Sequence, residues 1–154
     1  MPLLEIRTLG DPVLRSKTRP VEKITDKTRK LINNMVVTME NAEGLGLAAP
    51  QVGVLQKIIV VSVDDSLYKL VNPEIVSREG QEIDEEGCLS IPGRSGPVSR
   101  AAKIVVEAQD EEGRNVKIAA DGLLARAFQH EIDHLHGELF IDKIVDIDKF
   151  NPEV

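Results

Sequence analysis

The chain has 154 residues, with 19 basic and 26 acidic side chains, a formal net charge of −7 and only 3% aromatic residues. This length is typical of one domain, which we expect to span residues 1–154 with a core of aliphatic side chains. The acidic balance argues against nucleic-acid binding as the main function. Residues 1–15 lack a signal-peptide pattern, and no apolar run approaches the roughly 20 residues that cross a bilayer. We therefore expect a cytoplasmic protein with no membrane partner.

The first predicted helix covers residues 24–42. Its start could be capped by either Thr25 or Asp26. The small residues 44–50 follow, and we predict a loop there with little room for regular structure. The helix assignment rests on apolar side chains that recur at helical spacing, namely Leu31, Ile32, Met35, Val36 and Met39.

Five short segments are predicted to form β-strands: 57–63, 70–71, 81–83, 103–108 and 115–119. Isoleucine and valine dominate the first of them, as is typical of a buried strand. Short strands joined by short turns favour antiparallel pairing over parallel crossovers. Because one helix precedes the strands and another follows them, the order predicts an α+β fold.

The second predicted helix covers residues 123–137, with Asp121 as a plausible N-cap. It contains the pattern H-E-x-x-H, formed by His130, Glu131 and His134. Histidines four residues apart lie on one helical face with Cβ atoms about 5–6 Å apart, so both imidazoles can reach one metal ion. The glutamate between them can then take a proton from a water molecule that the metal activates.

A catalytic metal site of this kind usually needs a third protein ligand. His136 follows His134 by two positions and points away from the pair. A carboxylate remains an alternative, but Cys88 is the better candidate, because a thiolate binds iron(II) or zinc strongly and Gly87 permits a close approach. Asp133 is expected either to hold a ligand in place or to cap a neighbouring turn.

Residues 44–51 form a glycine-rich segment that is a weak signal by itself. It can be the end of a helix followed by a tightly packed loop. Alternatively, its small residues let the backbone approach a bound peptide, to which Gln51 offers a side-chain amide.

Three motifs in this order resemble the peptide deformylases of the compact bacterial type. They are G-L-G-L-A-A-P-Q at 44–51, E-G-C-L-S at 86–90 and Q-H-E-I-D-H at 129–134. The residues around 6–14 and 135–142 are also similar, so the resemblance covers nearly the whole chain. It implies antiparallel β-sheets packed around a central helix that carries the H-E-x-x-H motif, with a further helix near the N-terminus.

The resemblance implies that Cys88, His130 and His134 hold the metal ion. The usual ion is iron(II), which zinc, nickel or cobalt can replace. Glu131 is then the general base and later the general acid. The implied reaction removes the N-formyl group from the initiator methionine of nascent polypeptides and releases formate.

The resemblance also implies two hydrogen-bond donors for the oxyanion that develops on the formyl oxygen, the Gln51 side chain and the Leu89 backbone N–H. Gly46 is expected to pair with the peptide backbone as an added strand does. Relatives often carry a large Arg or Tyr where this chain has Ser95; either Arg94 takes over that contact or the rim is more open. The methionine side chain is expected near Leu45, Leu123, Arg126 and Ala127.

The partners implied are nascent formyl-methionine peptides and, transiently, the ribosome. Many relatives have a C-terminal helix tied to ribosome docking, whereas this sequence ends at Val154, so stable docking by that route is not expected. Two alternatives remain open at this point. One is a metal-dependent endopeptidase with the same H-E-x-x-H chemistry, and the other is a non-catalytic binding module.

Overall fold

A computed structural model describes residues 3–146 of the chain, which form seven strands and two α-helices. Every pair of neighbouring strands among the seven is antiparallel, and the predicted α+β class is confirmed. None of the described helices is long and apolar enough to cross a membrane. The elements are α1 (Asp26–Asn41), β1 (Gly46–Ala48), β2 (Ile58–Val63), β3 (Ser66–Glu79), β4 (Glu82–Cys88), β5 (Ile91–Arg100), β6 (Lys103–Gln109), β7 (Asn115–Asp121) and α2 (Gly122–His134).

The strands form two sheets. The larger has the order β1-β2-β3-β6-β7, so β1 lies at one edge, and β4 pairs with β5 in a separate hairpin. This hairpin is inserted in the chain between β3 and β6. The candidate site lies where this hairpin, the free edge of β1 and α2 meet.

The helices pack on opposite faces of β2. Ile58 and Val60 belong to the buried cluster that includes Ile32, Met35 and Met39 of α1. Ile59 and Val61 belong to the cluster that includes Phe128 and Ile132 of α2. A strand covered on both faces needs apolar residues at successive positions, which explains the unbroken Ile-Ile-Val-Val run. Helix α2 also contacts β1, β3, β6 and β7, and it is the central helix.

Thr25 caps the N-terminus of α1, and it is one of the two cap residues that the sequence predicted. Its hydroxyl accepts from the Thr28 N–H, and the Thr28 hydroxyl accepts from the Thr25 N–H, so two otherwise unpaired backbone donors are satisfied. Helix α2 follows Asp121 and ends at His134, before the predicted end at 137. Gly137 has a φ of 74°, and a Cβ there would lie 2.6 Å from the Arg15 carbonyl oxygen.

Two strands were not predicted. Residues 46–48, expected to be part of a loop, pair with β2 from Gly46 opposite Val61 to Ala48 opposite Ile59. The prediction failed because small residues have low intrinsic strand preference, which pairing with an existing strand can override. Strand β5 was missed because its Pro and Gly residues suggest turns, whereas in the structure it pairs with β4 from Ser95 to Arg100 and again at Ile91.

An N-terminal strap, residues 7–18, crosses the molecule and donates hydrogen bonds to three separate segments. The bonds are Arg7 N to Gln51 O at 2.7 Å, Leu9 N to Ser90 O at 2.9 Å and Thr18 Oγ1 to Leu135 O at 2.7 Å. Each acceptor lies within a motif noted in the sequence or directly after it. The strap therefore joins the three motif segments.

The packing of α2 against the larger sheet predicts a large effect of Phe128→Ala. Phe128 is fully buried and meets Tyr68 edge-on at a ring-centroid distance of 5.2 Å. Its truncation should lower the free energy of unfolding by about 3–5 kcal/mol, measured by denaturant titration, because it leaves a cavity. Leu123 on the same helix is half exposed, so Leu123→Ala should change that free energy by only about 0.5 kcal/mol. Equal losses in the two variants would contradict this account of the core.

Candidate metal centre and active site

Cys88, His130 and His134 come together although they are far apart in the sequence. Their ligand atoms all lie within 4.8 Å of one another, and Cys88 Sγ is 3.5 Å from His134 Nε2. A tetrahedral ion with one thiolate and two imidazoles separates its ligand atoms by about 3.4–3.6 Å, so this donor set fits one transition-metal ion. Among residues 3–146 this is the one such group of three or more potential ligands, and the exposed His136 lies outside it.

The approach of Cys88 to α2 depends on a change of register in the hairpin. Strand β4 pairs regularly with β5 as far as Gly87 opposite Ser95, and then Cys88 pairs with Ile91. Such an irregularity turns side chains away from the direction that the strand would give them. This irregularity lies directly before Cys88 in the chain.

A buried carboxylate links the hairpin to the histidines. Glu86 Oε1 lies 2.9 Å from His130 Nδ1. The same carboxylate accepts from Arg100 Nε and Nη2 at 2.9 and 2.8 Å, and from Arg126 Nη1 at 2.6 Å. An imidazole that donates through Nδ1 keeps Nε2 available for a metal. Sequence reasoning missed this role for Glu86, because nothing local to residues 86 or 130 indicates their contact.

Asp133 has a different role from either one expected. It pairs with Arg100, and its carboxylate lies 3.4 Å from Lys143 Nζ. It holds neither His130 nor His134. The carboxylate that holds one of these histidines is Glu86 instead.

Burial and neighbouring charges shift four pKa values in this cluster. Burial opposes ionisation of Glu86, but the hydrogen bonds from Arg100 and His130 outweigh it and place the Glu86 pKa well below its usual value. Burial lowers the pKa of His134. It would do the same to His130, but the Glu131 charge and the other anionic neighbours raise the His130 pKa to about 10. Burial raises the pKa of Glu131 to about 7.

Glu131 is poised for proton transfer. A carboxyl group with a pKa near 7 can both accept and donate a proton at neutral pH. Its Oε1 is buried and has no hydrogen-bond partner among the described residues, and its Oε2 lies 4.0 Å from His130 Nε2. The carboxyl group is therefore held without a competing donor.

The Gln51 side chain is oriented toward the same group. Its Oε1 accepts from the Ala48 N–H at 2.9 Å, which fixes which end of the amide is the donor. Its Nε2 donates to Ser90 Oγ at 3.1 Å and lies 3.5 Å from Cys88 Sγ. Ser90 was part of a noted motif but had no predicted role; nothing in the sequence signalled this contact.

A cavity of about 420 Å³ opens beside these residues. Besides Gln51, Glu131 and His130, its walls include all six predicted substrate contacts, namely Leu45, Gly46, Arg94, Leu123, Arg126 and Ala127. The Arg126 guanidinium also donates to the carbonyls of Val98 and Glu82 at 3.0 and 2.9 Å. The Arg126 guanidinium is therefore paired with hydrogen-bond acceptors inside the protein. A second cavity, at the end of the larger sheet, shares Leu123 alone with this one.

Comparison with known proteins gives a consistent result over nearly the whole chain. The family model for polypeptide deformylase matches residues 3–150. The peptide deformylase of Halothermothrix orenii is 60% identical over 96% of this chain and 97% of its own length, and that of Dictyoglomus thermophilum is 52% identical over 92% and 93%. The crystal structure of peptide deformylase from Thermotoga maritima superposes with a TM-score of 0.93 at 41% identity, covering 95% of this chain and all of that one.

The ion-pair cluster predicts a large stability loss for Glu86→Gln. Removing the charge from one partner of a buried pair costs about 3–5 kcal/mol, because Arg126 loses its carboxylate partner and Arg100 keeps only Asp133. Denaturant titration at pH 7 should show this loss. Glu85→Gln, at the exposed neighbouring position, should change stability by only about 0.5 kcal/mol.

The lowered pKa of Glu86 adds a pH dependence to this prediction. A lowered folded-state pKa stabilises the protein fully above the ordinary carboxyl pKa of about 4, and this contribution falls as the pH drops toward the folded-state value. The difference between the wild type and Glu86→Gln should therefore be constant above about pH 5 and shrink in acid. A difference that grows in acid would contradict it.

Proposed function

Because the chain belongs to the peptide deformylase family, we propose that Cys88, His130 and His134 bind the metal ion on which its reaction depends. Members of this family are hydrolases that remove the N-formyl group from nascent polypeptides, and this chain is one of them. The family therefore decides against the endopeptidase alternative. The observation that carries the assignment of the site is the meeting of these three ligands beside the buried Glu131 carboxyl group.

We further propose iron(II) as the native ion, with zinc, nickel or cobalt able to replace it. One thiolate and two imidazoles suit iron(II) and zinc. When bound, such an ion lowers the pKa of water and polarises a carbonyl group. The hydrogen bond between His130 Nδ1 and Glu86 supports this assignment, because ligating histidines commonly donate their second N–H to a carboxylate.

Glu131 acts as the proton carrier in this proposal. It takes the proton of the water molecule that attacks the formyl carbon and then donates it to the departing amine. Burial raises its pKa, which suits a group that first accepts and then releases a proton. The absence of a competing hydrogen bond to Oε1 among the described residues leaves that oxygen available for the proton.

Gln51 and Leu89 stabilise the negative charge that develops on the formyl oxygen. The Gln51 amide is buried, is locked by Ala48 and presents Nε2 toward Cys88. A preorganised donor of this kind needs no reorientation during the reaction. We assign the second donor, the Leu89 backbone N–H, because that residue directly follows the proposed ligand Cys88.

The cavity beside this group is the proposed site for the formyl-methionine end of the substrate. The free edge of β1 at Gly46 can pair with an extended peptide, as an added strand does. The unbranched methionine side chain then lies among Leu45, Leu123, Ala127 and the stem of Arg126, with Arg94 at the rim. We propose that this occurs in the cytoplasm, with transient contact to the ribosome from which the nascent chains emerge.

Formate release tests the function directly. The chain, purified without oxygen and loaded with iron(II), should release formate from formyl-Met-Ala-Ser. The measurement is formate produced per mole of bound iron. A fully loaded protein that releases none would overturn the assignment.

Two variants test the assigned roles. Glu131→Ala should abolish turnover while retaining the metal, because Glu131 is not a ligand. Gln51→Ala should also retain the metal and lower kcat by about 10²–10³-fold, since it loses one oxyanion donor. Metal content by elemental analysis separates these roles from ligation, and loss of the metal in Glu131→Ala would refute its assignment as the base.

A further inference from the structure

The Glu131 side chain occupies the space that a Cβ atom at position 46 would need. An ideal Cβ built on Gly46 lies 2.5 Å from Glu131 Oε2, 2.8 Å from Cγ and 2.9 Å from Cδ. These are the three nearest atoms, and all belong to one side chain. Any residue larger than glycine would therefore displace Glu131, the backbone of β1 or both.

Conformational freedom does not explain a glycine at this position. Seven other glycines of the chain have positive φ angles, but Gly46 does not. It lies in β1 in regular register opposite Val61, a conformation open to any residue. What distinguishes position 46 is the close approach of Glu131.

Helix α2 and strand β1 cannot easily move away from each other. Phe128 and Ile132, on either side of Glu131 in α2, are buried in the cluster that includes β2. His130 is fixed by its hydrogen bond to Glu86. Strand β1 is bonded to β2 along all three of its residues. The Glu131 side chain is the part that would have to give.

We propose that Gly46 is a positioning residue: its lack of a side chain forms the slot that holds the Glu131 carboxyl group at the reaction site. Few hydrogen bonds or ion pairs restrain the Glu131 carboxyl group, so packing has to hold it in place. Oε1 has no hydrogen-bond partner among the described residues, and the nearest charged partner of Oε2 lies 4.0 Å away. This role is separate from backbone pairing with the peptide, and it rests on the proposed function of Glu131 as the base.

The first test is kinetic. Gly46→Ala, loaded with iron(II) to the wild-type level, should lower kcat for formyl-Met-Ala-Ser by about 10²-fold, because misplacing a reacting group by about 1 Å has that effect. Its KM should stay close to the wild-type value. An unchanged kcat would overturn the proposal.

The second test asks whether the added methyl group acts on Glu131 or blocks the peptide. Binding of formyl-Met-Ala-Ser is measured by calorimetry with the metal-loaded inactive variant Glu131→Ala and with Glu131→Ala/Gly46→Ala. Once the glutamate is gone the methyl group has room, so the two Kd values should agree. A Kd weaker by about tenfold or more in the double variant, equivalent to 1.4 kcal/mol, would show that the methyl group obstructs the substrate and would overturn the proposal.

The third test measures coupling without any reaction. Gly46→Ala should destabilise the protein in denaturant titration when Glu131 is present and much less in the Glu131→Ala background. Gly44→Ala is the matched control: its Cβ would lie 2.6 Å from Leu89 Cδ1, so its effect should be independent of Glu131. If the effects of Gly46→Ala and Glu131→Ala on the free energy of unfolding were additive, the proposed contact between position 46 and Glu131 would be wrong.

These outcomes separate the inference from the proposed function. If Glu131→Ala itself retains turnover, Glu131 is not the base and the proposed mechanism fails. If Glu131→Ala is inactive while Gly46→Ala has the kcat of the wild type, the mechanism stands and the positioning role of Gly46 is wrong.

Discussion

Glu86 carries a charge in a site that is almost closed to solvent, and three cationic or hydrogen-bonding groups from two other elements converge on it. Arg100 comes from the end of β5, while Arg126 and His130 come from successive turns of α2. A buried carboxylate is tolerated only when its oxygens are satisfied in this way. Because Glu86 stands two residues before Cys88, satisfying its charge also brings the thiol to the histidines. The geometry of the proposed ligands is thus a consequence of an ion-pair cluster.

The larger sheet supplies the other half of this arrangement. Strand β2 is covered by α1 on one face and α2 on the other, which fixes α2 relative to β1. Glu131, the proposed base in α2, and the free edge of β1 are therefore held at a set distance by the core. The chain has few aromatic residues, and Phe128 is set in a core that is otherwise mostly aliphatic.

Local patterns in the sequence predicted what depends on local structure. The helix that carries His130 and His134, the Ile-Val strand and the antiparallel plan follow from periodicity and turns. The contacts of Glu86 and Ser90 could not be predicted, since they join residues 44 and 39 positions apart and leave no periodic trace. Strand β1 was missed for a related reason: its strand conformation comes from pairing with β2, whereas its own residues have little preference for it.

The N-terminal strap has a consequence for how this protein is made. Its hydrogen bond from Thr18 to Leu135 joins residues 117 positions apart, and His134, the last of the proposed metal ligands, directly precedes the acceptor. Contacts of such large sequence separation form late, because a long segment must be ordered to close them. The strap is synthesised before its final partner, which is available only once residue 135 has been made. An enzyme that acts on unfinished polypeptides therefore lacks its own proposed site until residues 134 and 135 have been added.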